Sequence, residues 1–135
     1  MTDIIDRETA ALEFQKFVDT MDLDLDVDTM DNEDRKDFTK EKDKLIVAIQ
    51  KGRLTINDRG EPTYTPQRSE NKDPITFYEP TGATLMAMDR KKRDADVTKM
   101  YAAMADMTKQ SVNRFSKMSH KDCMVCQSIT TLFLA

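Results

Sequence analysis

The most constraining stretch of the chain runs from Ile75 to Ala135. A short β-branched and aromatic segment, Ile75-Thr76-Phe77-Tyr78-Glu79, leads there into apolar runs at helical spacing. Val97, Met100, Tyr101, Met104 and Met107 recur at i, i+3, i+4 and i+7, which predicts a helix capped by Asp94 or Asp96. Thr81 is placed to cap a helix carrying Leu85, Met86 and Met88, and Arg90 to Arg93 follow where that helix should end. Val112 and Phe115 mark a short helical turn within Ser111–Lys117. Ser119-His120-Lys121-Asp122 then reads as a capping box, with Asp in place of the usual Glu, opening a helix with Val125, Ile129, Leu132 and Phe133 on one side.

The preceding half follows a different plan. Leu12, Phe14, Phe17 and Val18 predict an amphipathic helix over residues 7–19. Asp31 or Asn32 caps a second helix from Glu33 to about Lys51, striped by Phe38, Leu45, Ile46 and Ile49 and stopped by Gly52. Between them, Met21-Asp-Leu-Asp-Leu-Asp-Val-Asp28 alternates apolar and acidic residues with the period of a strand. Asp is a poor strand former, so the stretch reads as an extended acidic linker. Leu54–Asn57 and Pro62–Thr65, joined through Asp58 and Gly60, read as a hairpin, and Pro62 places its strand at an edge. The expected architecture is α+β and mainly α. It divides into an acidic helical arm (residues 1–52), a hairpin with linker (53–73) and a helical domain (74–135) entered through a short strand.

Charge narrows the function. Residues 1–52 hold fifteen acidic and eight basic side chains, while the remainder holds ten and thirteen. An acidic front and a weakly basic back argue against nucleic acid as a partner and allow contact between copies, a homo-oligomer. No run approaches the ~20 apolar residues that span a bilayer, and no secretory signal is recognisable, so no membrane is expected as a partner. Two cysteines in this context are expected to be reduced thiols.

Reactive constellations are sparse. Cys123-Met-Val-Cys126 is a C-x-x-C, and His120 extends it to three potential zinc ligands. A structural site wants four, so the cysteines read as small buried residues. Asp22, Asp24, Asp26, Asp28 and Glu33 match calcium-loop positions, but Val27 stands where the sharp turn needs Gly. The one histidine has no nucleophile demonstrably poised beside it, and three glycines form no phosphate cradle. The expectation is no catalytic residue, no metal and no cofactor.

Taken together, several motifs resemble a known family. They are a strand ending Glu79-Pro80-Thr81, a helix with Leu85-Met86-Ala87-Met88, a middle helix, and a Val112-x-x-Phe115-x-x-Met118 step. A last helix entered at Ser119–Asp122 and ending Phe133-Leu134 completes them. The pattern, over about residues 74–135, is similar to the tail assembly chaperones of long-tailed bacteriophages; the long front half is a departure from the shorter members. The resemblance implies a non-enzymatic protein of the host cytoplasm during assembly, absent from the mature virion. Its partners would be the tape measure protein, whose apolar segments it keeps from aggregating, and tail tube protein. Many members are also made as a longer, frameshifted product. Ten methionines and no tryptophan suit a surface that re-packs against varied apolar helices.

The residues expected to touch a partner are Leu85, Met86, Met104, Ile129, Leu132 and Phe133. The competing expectation is a neck or baseplate protein retained in the particle. A third is an acidic inhibitor whose Asp22–Asp28 stretch mimics a nucleic-acid backbone.

Overall fold

A computed structural model describes residues 5–23, 31–89 and 96–134. Among them are six helices and a three-stranded antiparallel sheet, an α+β build that is mainly α. The acidic alternation from Asp24 onward, the basic run Arg90–Arg93 and the candidate cap Asp94 lie outside the described residues.

Helix α1 (Arg7–Thr20) starts where the Asp6 carboxylate accepts the Thr9 N–H at 2.7 Å. Helix α2 (Asn32–Gln50) starts in the same way, with Asp31 accepting from Asp34 at 2.8 Å. The Ile5 N–H donates to Gln50 O, which puts the start of α1 beside the end of α2. Helix α1 buries Ala10, Phe14 and Phe17, at i, i+4 and i+7. Leu12, expected on that face, projects to solvent because it lies half a turn away from Phe14. Gly52, at φ 73°, ends α2 in the left-handed conformation that glycine adopts without strain.

Strands β1 (Leu54–Ile56), β2 (Pro62–Tyr64) and β3 (Ile75–Thr76) pair in that order. Leu54, Ile56, Tyr64, Ile75 and Phe77 are all buried, as the period-two rule requires of one sheet face. The tip of the hairpin is held by the Asn57 side chain, whose Oδ1 accepts the Arg59 and Glu61 N–H groups. Gly60, at φ 76°, closes against α1: a Cβ there would fall 2.5 Å from the Thr20 Cβ.

The edge placement expected for Pro62 is corrected, since β2 is the central strand. Pro62 is tolerated because it is the first residue of β2. Its carbonyl accepts the Phe77 N–H at 2.8 Å, and only the return bond, which proline cannot donate, is missing. The final strand is also shorter than Ile75–Glu79. The Tyr78 N–H leaves the sheet to bond Met107 O at the end of the middle helix.

Helices α3 (Gly82–Asp89), α4 (Asp96–Thr108), α5 (Val112–Ser116) and α6 (His120–Phe133) complete the chain. One cluster of buried side chains joins Phe14 and Phe17 of α1, Leu45 and Ile49 of α2, the sheet face, Met104 and Met107 of α4, Phe115 of α5 and Ile129 and Phe133 of α6. The Phe17 and Phe133 rings meet edge-on at 5.0 Å. The core therefore crosses the divisions at residues 52/53 and 73/74, and the first helices supply wall rather than a free arm.

Candidate interaction surface

Helix α3 is the element whose apolar side chains the core does not use. Of its eight residues only Thr84 is buried, while Leu85 is 63% and Met86 60% exposed. The polar residue faces inward because it is satisfied there. Thr84 Oγ1 accepts the Thr81 N–H at 3.1 Å and donates to the Asp106 carboxylate on α4. Thr81 Oγ1 in turn accepts the Ala83 N–H, so the cap expected at Thr81 is present and is tied to α4. Val97, on the first turn of α4, is 66% exposed and adds to the apolar surface of this helix pair.

The six expected contact residues separate into two groups. Leu85 and Met86 are open to a partner. Met104, Ile129, Leu132 and Phe133 are buried in the common core, so the single patch expected from their spacing does not exist on the folded surface. Helical spacing identified the inward apolar face of α6. It could not say that α1 and α2 cover the face of α6.

The N-terminus of α6 carries the densest polar arrangement in the described chain. Ser119 caps the helix, accepting the Asp122 N–H at 3.3 Å. The reciprocal half of the expected capping box is replaced. The Ser119 N–H donates to Ser69 Oγ at 3.0 Å, and the Asp122 carboxylate turns instead to the loop after β2. Its Oδ1 accepts Tyr64 Oη–H at 2.7 Å and the Gln67 N–H at 2.9 Å. Its Oδ2 accepts the Arg68 and Ser69 N–H groups, each at 2.9 Å, and the Ser69 and Ser119 hydroxyls. Burial works to raise the Asp122 carboxyl, but bonds from Gln67, Ser69, Tyr64 and Arg68 outweigh it and hold it well below the usual carboxylate range. Burial, and then the bond to this carboxylate, push the Tyr64 phenol up. With every lone pair engaged, Asp122 has no capacity left to act as a base. It clasps loop 65–69 to α6.

Both cysteines are free and buried, and His120 stands exposed at the start of the helix. Burial, with the nearby Cys123 and Asp122, pushes the Cys126 thiol up, away from the reactive thiolate. The Cys123 thiol faces Tyr101 Oη at 3.6 Å. Among the described residues no group of three or more His, Cys, Asp or Glu could hold a metal ion, and no helix is long and apolar enough to cross a membrane. Of the calcium-loop residues, Asp22 sits at φ 50° in the turn after α1 and Glu33 lies in the first turn of α2, while the others fall outside the described residues.

Sequence reasoning missed the clasp. Pro66–Asp73 has linker composition, and nothing in one-dimensional spacing marks a carboxylate that bonds residues more than fifty positions earlier. The one available signal was a buried-side Asp at the third position of a helix, where a capping Glu would have reached its own N-cap. No family model, no curated protein and no solved structure matches the chain.

Proposed function

We propose that this protein is a tail assembly chaperone of the long-tailed phage type. It binds apolar helical segments of the tape measure protein and helps recruit tail tube subunits in the host cytoplasm, without catalysing a reaction. The observation that carries this reading is the inversion of α3, which presents Leu85 and Met86 to solvent and buries a threonine. An exposed, unbranched methionine beside leucine on a short helix adapts to differing apolar partners. The order of elements after residue 74 supports it as well: a strand, a Thr81-capped helix, a second helix, a short third and a Ser119-capped last one.

Co-expression with the phage's tape measure protein tests the reading. The chain should raise the soluble fraction of that protein and be captured with it. A Leu85→Asp/Met86→Asp variant should fold and melt as the parent does, yet lose both effects. Equal capture by the double variant, or stoichiometric retention of the chain in purified particles, would overturn it.

A further inference from the structure

The second half of α2, the loop after β2 and the start of α6 enclose an open groove of about 380 Å³. Apolar side chains among its lining include Val47, Ala48, Met124 and Val125. Cationic side chains line it as well, with Lys44, Lys51, Arg53, Arg68 and Lys121. Among the described residues the acidic side chain that lines it is Asp122, whose carboxylate is already saturated by hydrogen bonds from Tyr64 and the 67–69 loop. Lys44 also meets Glu41 at 3.6 Å and Ser128 Oγ at 3.3 Å. A groove lined by apolar and long cationic side chains suits a peptide that alternates apolar residues with carboxylates. Its apolar side chains would meet the apolar lining and its carboxylates the cations.

The chain itself contains such a peptide. We propose that the groove takes Asp24-Leu25-Asp26-Val27-Asp28 from a second copy of this protein, joining copies head to tail. Charge complementarity argues for this occupant: the stretch is acidic at every second position, and Lys51, Arg68 and Lys121 stand among the cations of the lining.

Reach argues for a second copy rather than self-insertion. Lys44 lies thirteen residues beyond Asp31 in the sequence, about 20 Å along α2, whereas Val27 can stray at most about 14 Å from Asp31. At the other tether, α1 begins beside Gln50 and carries the chain about 20 Å before Leu23. Because the two contacting surfaces differ, the contact is heterologous, and repeated copies form a ring or an open filament. This inference does not depend on the client of α3.

Two charge-reversed proteins test it by sedimentation velocity in low salt. One is Arg68→Glu/Lys121→Glu, at exposed positions of the lining, and the other is Asp24→Lys/Asp26→Lys/Asp28→Lys. The parent should self-associate, and added salt should dissociate it. Each variant alone should be monomeric, its affinity weakened by about tenfold or more, with an unchanged circular dichroism spectrum. An equimolar mixture should associate again, because one intact groove then meets one intact acidic stretch. The idea is overturned by a parent that stays monomeric at millimolar concentration, by either variant assembling as the parent does, or by a mixture that stays monomeric. Tighter binding of a single-stranded oligonucleotide than of a peptide spanning residues 21–30 would overturn it too, by assigning the groove to nucleic acid.

Discussion

Helices α3 and α6 reverse each other's logic. Helix α6 carries Asp122, Ser128 and Thr130 inside the protein, and α3 carries Leu85 and Met86 outside it. Hydropathy alone would predict the opposite. The polar groups of α6 are tolerated because each has a partner: Ser128 Oγ donates to Met124 O at 3.0 Å, Thr130 Oγ1 to Cys126 O at 2.9 Å, and Asp122 accepts from the 67–69 loop. Buried polar groups cost free energy only when unpaired, so position is decided by available partners as much as by oiliness. Helix α3 shows the converse, since its one inward side chain is the one with something to bond.

The sharpest way to break this contrast is Asp122→Ala. It strands the Tyr64 hydroxyl and several loop N–H groups at once and should cost at least about 3 kcal/mol, a large share of a small domain's stability. Urea denaturation reads the loss as a lower midpoint. Phe17→Ala, which removes the ring packed on Phe133, should cost about 3–5 kcal/mol if the site cannot collapse, and it tests whether α1 is wall or arm. A free arm would tolerate it.

Acid should act through the same carboxylate. Because Asp122 is held below its unfolded value, its contribution is complete above about pH 4 and drains away as pH falls further. Denaturation midpoints measured from neutral pH downward should drop steeply in the parent and less in Asp122→Asn, which starts lower. Thr84→Val keeps the shape of the side chain but removes its bond to Asp106. It should cost about 1–2 kcal/mol and raise amide exchange in α3 first. The smallest effect belongs to Leu85→Asp/Met86→Asp, within about 0.5 kcal/mol of the parent because those side chains touch solvent already.

How much was legible in advance follows the range of each interaction. The caps at Asp31, Thr81 and Ser119 act over two or three residues and were readable, as were the hairpin and the stripe of α2. Pro62 was misplaced because the third strand that makes β2 central begins at Ile75, across a loop of polar composition. Met104, Ile129, Leu132 and Phe133 were correctly apolar-faced and wrongly imagined as open. Phe133 is covered by Phe17, near the start of the chain, and α6 packs on α2 and α4, while the 3.6-residue period says nothing about which helix faces which. Leu85 and Met86, by contrast, are exposed because α3 touches its neighbour through a polar pair that no hydrophobic pattern contains.

The Asp122 clasp also governs where this chain can be edited. By composition, 66–73 is the natural place to splice in a reporter or an epitope, yet three successive residues near its start, Gln67, Arg68 and Ser69, bond a single carboxylate. A residue inserted between Gln67 and Ser69 would break the run of N–H groups aimed at Asp122, whereas exposed Lys72 offers a graft point a few positions downstream. Tolerance to insertion here changes abruptly within one short loop, at the residue where the last bond to α6 is made.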